Sequence, residues 1–229
     1  MNLHEALEIR PGVTSVIGSG GKSTLLARLA AELAEGGATV ALATTTHFMP
    51  FPGVTCMAGG SAEEVRLALA AYGVVCVAAP AGGAAGAAGK LGPAALAPAE
   101  LARLADYVLV EADGSKRLPL KVHAAWEPVV PEGSTQSVLV VGASGFGRPV
   151  REAVHRPELF CELARCSPED EATPEAVATV IRAEGLANRV VVNQCEGEGT
   201  LACARRLAGL LCVPVAVGSL REGRLERLR

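Results

Sequence analysis

Apolar residues along this chain fall into two alternating patterns. Short unbroken runs of Val, Leu, Ile and Ala alternate with longer stretches in which apolar residues return every three or four positions. The first pattern predicts strands at Val13–Ile17, Thr39–Ala43, Gly73–Ala79, Tyr107–Val110, Ser137–Val141, Arg189–Asn193 and Val213–Val217. A strand apolar at every position is covered on both faces, as in a parallel sheet between helices. The second pattern predicts a helix over Thr24–Glu35, where Leu25, Leu26, Leu29 and Leu33 share a face and Gly36-Gly37 ends it. Further helices are predicted at Ala62–Tyr72, Pro98–Ala105, Pro157–Arg165, Pro174–Glu184 and Leu201–Leu210. Ala81–Gly92 (AGGAAGAAGKLG) reads as a flexible loop, and no internal repeat is visible. The expected fold is α/β, three-layered, with a mainly parallel sheet formed by residues 1–229 as a single domain.

Ligands of such sheets bind at the carboxyl ends of the strands, and the polar motifs stand there. Gly18-Ser19-Gly20-Gly21-Lys22-Ser23-Thr24 follows the first strand and opens the first helix. Glycines let backbone N–H groups turn toward a phosphate, and the helix N-terminus adds partial positive charge. Lys22 is positioned to reach terminal phosphates, and the Ser23 hydroxyl to ligate Mg²⁺. The architecture expected is therefore that of P-loop NTPases. The longer pattern GxxxxGK[ST] requires Gly where Val16 stands, so the loop is short. A bare glycine-rich turn is the alternative reading.

Glu111 and Asp113 end the Tyr107–Val110 strand. Acids there hold Mg²⁺ or orient water, while Asp113-Gly114 also reads as a plain turn. Thr44-Thr45-Thr46-His47 offers three hydroxyls and an imidazole after the second strand. Asn193-Gln194-Cys195-Glu196 resembles the guanine-reading NKxD motif, with Gln for Lys and Glu for Asp, which leaves ATP and GTP both open; Asn193 is the base-contact candidate. Lys116, Arg117 and Lys121 form a cationic run after the acidic strand end, and Arg148, Arg151, His155 and Arg156 a second one.

Composition narrows the function. Half of the 229 residues are apolar but only 3% are aromatic, so Ala, Val and Leu must build the core. A net charge of -3 excludes the basic footprint of a nucleic-acid protein or a polybasic membrane patch. Leu67–Gly89 carries no charge, but Pro80 and several glycines interrupt it, so no membrane span is expected. Met1–Gly12 lacks the apolar centre of a signal peptide. Seven cysteines without a CxxC spacing point to a reducing cytoplasm, with neither disulfides nor zinc, and Cys76 within its apolar run to a buried free thiol. Basic residues are mostly Arg, so Lys22, Lys90, Lys116 and Lys121 stand out.

The order GSGGKST, ATTTH, VEADGSKRLPLK, EPVVP, VHRPE and VVVNQCE resembles the YqeC family, described as accessory to selenium-dependent hydroxylases and as selenium cofactor biosynthesis proteins. The resemblance runs from about Val13 to Asn193 and beyond. It departs at His123-Ala124-Ala125-Trp126 and at NQCE. It implies a P-loop-like nucleotide-binding protein that helps mature molybdenum hydroxylases carrying labile selenium, with those hydroxylases or cofactor-maturation proteins as partners. It carries site status to Gly20, Gly21, Lys22, Ser23, Thr45, His47, Glu111, Asp113, Lys116, Lys121, His155 and Arg156.

The expected site combines these readings. Gly18, Gly20, Gly21, Lys22, Ser23, Thr24, Thr45, Asn193 and Lys116 bind the nucleoside triphosphate, Ser23 and Asp113 hold Mg²⁺, and Glu111 or His47 positions water or a transferred group. Three activities fit: an NTP-dependent accessory protein, a non-catalytic scaffold gated by nucleotide, and a small-molecule kinase whose anionic acceptor meets Lys116, Arg117 and Lys121.

Overall fold

The computed structural model describes residues 2–228; Met1 and Arg229, the ends of the expected domain, lie outside the described residues. In chain order the first half holds α1 (Leu3–Ala6), β1 (Gly12–Gly18), α2 (Lys22–Glu35), β2 (Val40–Thr44), β3 (Thr55–Ala58), α3 (Ala62–Tyr72), β4 (Val74–Pro80), α4 (Gly83–Ala87), β5 (Leu91–Gly92), α5 (Pro98–Leu101) and β6 (Tyr107–Glu111). The second half holds β7 (Leu120–Lys121), β8 (Ser134–Gly142), α6 (Val150–Ala153), β9 (Val154–His155), α7 (Pro157–Ala164), α8 (Pro174–Glu184), β10 (Arg189–Asn193), α9 (Glu198–Leu210), β11 (Val215–Ser219) and β12 (Arg224–Arg227).

The main sheet runs β12-β11-β10-β8-β1-β6-β2-β4-β3, with β5 added on β4. Its inner pairs are parallel, and only β11–β12 and β4–β5 are antiparallel. Successive side chains leave a strand on opposite faces, so each apolar strand feeds two cores. Val16, Leu42, Leu109, Val140 and Val191 pack toward α1 and α2. Ile17, Val141, Val192 and Val217 pack toward α7, α8 and α9, and Ala43, Val77 and Val110 toward α3 and α5. The three-layer α/β architecture expected from the apolar runs is the one observed.

The four leucines of α2 are buried, each contributing about 1.5–3 kcal/mol by leaving water. Cys76 is buried as well. Local signals hold other helices: Ser61 and Glu64 cap α3 reciprocally, and Thr173 caps α8 ahead of Pro174.

The structure corrects several expectations. The segment expected as a flexible loop contains α4 and β5; its alanines favour helix, and Lys90 N–H closes the turn on Ala85 O at 3.0 Å. The expected helix through Ala105 stops at Leu101, and the last parallel strand lies at Val215–Ser219 rather than Val213–Val217. Edge strands β3 and β12 were not expected; both are short and mostly exposed, because the ladder of an edge strand needs no buried side chains. β7 and β9 form a separate two-stranded sheet, with Leu120 beside Val154 and Lys121 beside His155.

Candidate functional site

Strand order reverses around β1, which lies between β6 and β8. Beyond the carboxyl ends of β1 and β6 lies a cleft of about 640 Å³, lined by Gly20 through Thr24, His47, Phe48, Met49, Lys90, Glu111, residues 114–118, Glu127, His155, Arg156 and Gln194. Basic side chains there (Lys22, Lys90, Lys116, Arg117 and Arg156) outnumber the acids Glu111 and Glu127, so the cleft suits a polyanion.

The glycine-rich turn is short because β1 continues through Gly18, leaving only Ser19, Gly20 and Gly21 before α2. Ser19 N–H donates to Val140 O at 2.9 Å, and its hydroxyl donates to Leu118 O. Gly20 and Gly21 have φ of 94° and 131°. A Cβ on Gly20 would stand 2.4 Å from the Gly142 backbone, and one on Gly21 2.4 Å from Asn193 Nδ2. Only glycine fits at both positions. Helix α2 begins without a side-chain cap or a first-turn acid. Among the described residues, the N–H groups of Gly20 to Thr24 meet no acceptor. Unpaired donors at a helix N-terminus are a ready anion site.

Lys22 Nζ donates to Gly18 O at 2.8 Å and stands 3.1 Å from Asp113 Oδ1 and 3.9 Å from Glu111 Oε1. The Ser23 hydroxyl donates to Glu111 Oε2 at 3.0 Å. Burial pushes the Glu111 carboxyl up, and the Lys22 charge and the Ser23 hydrogen bond only partly offset it.

Asp113 is the main correction among the expected ligands. It is fully buried and does not line the cleft. Its Oδ2 accepts from Gly18 N–H at 2.8 Å and meets His123 Nε2 at 2.8 Å and Lys121 Nζ at 3.0 Å. Burial would raise this carboxyl, but the His123 hydrogen bond, the Lys22 and Lys121 charges and the Gly18 N–H outweigh it and hold it far below the usual range. The acid beside Ser23 is therefore Glu111. Lys121 was expected to meet an anion; instead its amine is wholly buried between Asp113 and Glu127, 3.0 Å from each. His123 continues the network, with Nδ1 3.0 Å from Glu184 Oε1. Burial lowers the His123 imidazole, but its bonds to Asp113 and Glu184 win and raise it.

Two further candidates brace the site from outside the cleft. Asn193 Nδ2 donates to Gly20 O at 2.7 Å, and its Oδ1 accepts from Leu220 N–H at 2.8 Å, so its amide ties the turn to the end of β11. Thr45 Oγ1 donates to Val129 O at 2.6 Å. His47 and Lys116 are exposed on the cleft wall. The second cationic run divides: His155 and Arg156 line the cleft, whereas Arg151 pairs with Glu152 and Glu169 outside it. Sequence reasoning missed His123, Glu127 and Glu184 as members of the buried network. Lys121 and His123 alternating with the buried apolar Leu120, Val122 and Ala124 was the available signal for two polar side chains turned into the protein.

Residues 14–158 match the family described as YqeC protein. The chain belongs to the YqeC family. It is 34% identical over 165 residues to "Uncharacterized protein YqeC" of Escherichia coli (strain K12), a match that covers 70% of this chain. The chain spans 63% of that relative's length. Among solved structures it is similar to the signal recognition particle receptor FtsY of Elizabethkingia anophelis in complex with GDP, at 16% identity and a TM-score of 0.50, covering 96% of this chain and 61% of that one. It is also similar to chloroplast FtsY of Physcomitrella patens, at 16% identity and a TM-score of 0.49, covering 96% and 63%. The likeness to the Elizabethkingia anophelis structure is one of fold, a mostly parallel sheet between layers of helices. Among the described residues, no group of three or more His, Cys, Asp or Glu side chains would hold a metal ion, and no helix is long and apolar enough to cross a membrane.

Proposed function

We propose that the chain binds a Mg²⁺–nucleoside triphosphate in this cleft and acts, as one nucleotide-binding unit, in the maturation of selenium-dependent molybdenum hydroxylases. The observation that carries nucleotide binding is the set of unpaired N–H groups from Gly20 to Thr24 opening on a cleft with excess positive charge. Lys22, now held by Gly18 O and Asp113, turns to the terminal phosphates. The Ser23 hydroxyl and the Glu111 carboxylate are hard oxygen donors 3.0 Å apart, a pair that fits Mg²⁺ completed by phosphate oxygens and water. The metal supplies charge neutralisation on the phosphates; Asp113 supports Lys22 and Gly18 from below. The base lies past Gln194, toward an adjoining cleft of about 520 Å³ where Glu196 accepts from Ser219 at 2.7 Å. That carboxylate can accept from the N–H edge of either purine, so ATP and GTP both fit. The hydroxylase pathway rests on the family resemblance, and the seven free cysteines agree with a reducing cytoplasm.

A nucleotide-gated scaffold is favoured by one observation. Trp126, Val129 and Val130, beside the cleft residue Glu127, are 73%, 45% and 43% exposed, an apolar edge for a partner enzyme. Turnover that appears only with a molybdenum hydroxylase present favours the scaffold; turnover by the chain alone favours an NTPase.

Calorimetric titration of ATP, GTP and CTP with and without Mg²⁺ tests the nucleotide reading. Lys22→Ala should weaken triphosphate binding by about 10- to 100-fold, the worth of a charge-assisted contact. Undiminished affinity in that variant would sink the phosphate-loop assignment.

A further inference from the structure

The cleft has further cationic lining besides Lys22 at the α2 terminus. It is built by the small β7–β9 sheet and not by the main one. Arg117 precedes β7, and Arg156 follows β9 directly. The two strands pair in parallel, which brings Lys121 alongside His155, and Val122 N–H closes on His155 O at 3.2 Å. Lys116, Arg117 and Arg156 all adopt positive φ, at 47°, 61° and 71°. Non-glycine residues rarely do so, and such conformations gather where a site over-determines them. The Arg156 guanidinium is fixed from two sides: Glu127 Oε2 lies 2.8 Å from it, and it stacks 5.5 Å from the centre of the Trp126 ring. A planar guanidinium held this way is preorganised for an oxyanion.

His155 completes the wall. Burial lowers its imidazole, and the charges of Arg156 and Lys121 lower it further against the opposing charge of Glu127. A neutral imidazole among cations accepts a hydrogen bond from an acidic O–H while its neighbours meet the charged oxygens.

We infer that this wall binds a second ligand beside the nucleotide: a small phosphate-type oxyanion held by Arg117 and Arg156, its O–H bonded to His155. The inference rests on the nucleotide reading only in that a nucleotide occupies the rest of the cleft. The buried amine of Lys121 joins Glu127, which fixes Arg156, to Asp113, which fixes Lys22. The two anion positions therefore share one charged support.

Inorganic phosphate titrated into Lys22→Ala tests this wall with the loop disabled. Phosphate should bind Lys22→Ala, and either Arg156→Ala or Arg117→Glu added to it should weaken binding by about 10-fold or more. Arg117 is exposed, so the second change stays readable if Arg156→Ala disturbs folding. No phosphate binding to Lys22→Ala, or binding that neither change weakens, overturns the inference. Glycerol phosphate titrated in parallel separates the sources: tighter binding than phosphate assigns a phosphomonoester, and weaker binding the free inorganic anion. If the unaltered chain binds no nucleotide while Lys22→Ala still takes up phosphate, the nucleotide reading fails and the oxyanion wall stands.

Discussion

Glu111 and Asp113 end the same segment of chain with one residue between them, yet their carboxyls shift in opposite directions. Glu111 faces the cleft, holds one hydroxyl and is raised by burial. Asp113 faces the protein: its Oδ2 meets a backbone N–H, an imidazole and the Lys121 ammonium, its Oδ1 stands 3.1 Å from the Lys22 ammonium, and the carboxyl is lowered. A buried acid turned away from the cleft, its charge met by two ammonium groups and an imidazole, serves as a support. An under-partnered acid at a cleft remains available for chemistry. The floor of this site is finished in the free protein, and its mouth is not.

The strongest way to break that comparison is Asp113→Asn. It keeps the shape but leaves Lys22, Lys121 and His123 short of a buried counter-charge. The expected loss is about 3–5 kcal/mol of unfolding free energy, read from urea denaturation. A loss below about 1 kcal/mol would mean that Asp113 is no support. Glu111→Gln should do the reverse: stability stays within about 1 kcal/mol, while Mg²⁺-dependent enhancement of triphosphate binding falls by about 10-fold. Equal Mg²⁺ dependence in both proteins would move the metal away from Glu111.

The smallest effect is a pH slope. His123 has a folded value raised above 6.5, so its contribution is complete below 6.5 and fades as pH rises through the folded value. The urea midpoint should therefore fall between neutral and alkaline pH in the unaltered chain and fall less in His123→Gln. Asp113 acts at the other end: its contribution is present above 3.8 and is lost as pH falls through the depressed folded value.

Much of the fold was legible. The apolar runs marked most strands of the parallel sheet, and Leu25, Leu26, Leu29 and Leu33 marked α2, because burial on one or both faces leaves a period in the sequence. Edge strands β3 and β12 were not legible, since nothing covers them, and α4 was hidden by a Gly/Ala composition that also describes a linker. The phosphate turn was legible because Gly20, Gly21 and Lys22 answer to local geometry: positive φ, close backbone approach and a helix start. Asp113 was legible as an acid at a strand end and not as a buried one. Its environment comes from His123, ten residues on, from Glu184 behind His123, and from a strand pairing of β7 with β9 that no local pattern encodes.

The sequence by itself determined the layers, the turn and the family, because hydrophobic period, glycine conformation and motif order are properties of neighbouring residues. Only the tertiary structure decided which carboxylate meets Ser23, which lysine lines the cleft and where Asn193 spends its amide. Those outcomes depend on which charges and hydrogen-bonding groups distant segments bring within about 3–4 Å, and at that range desolvation and Coulomb terms of several kcal/mol set each group's role.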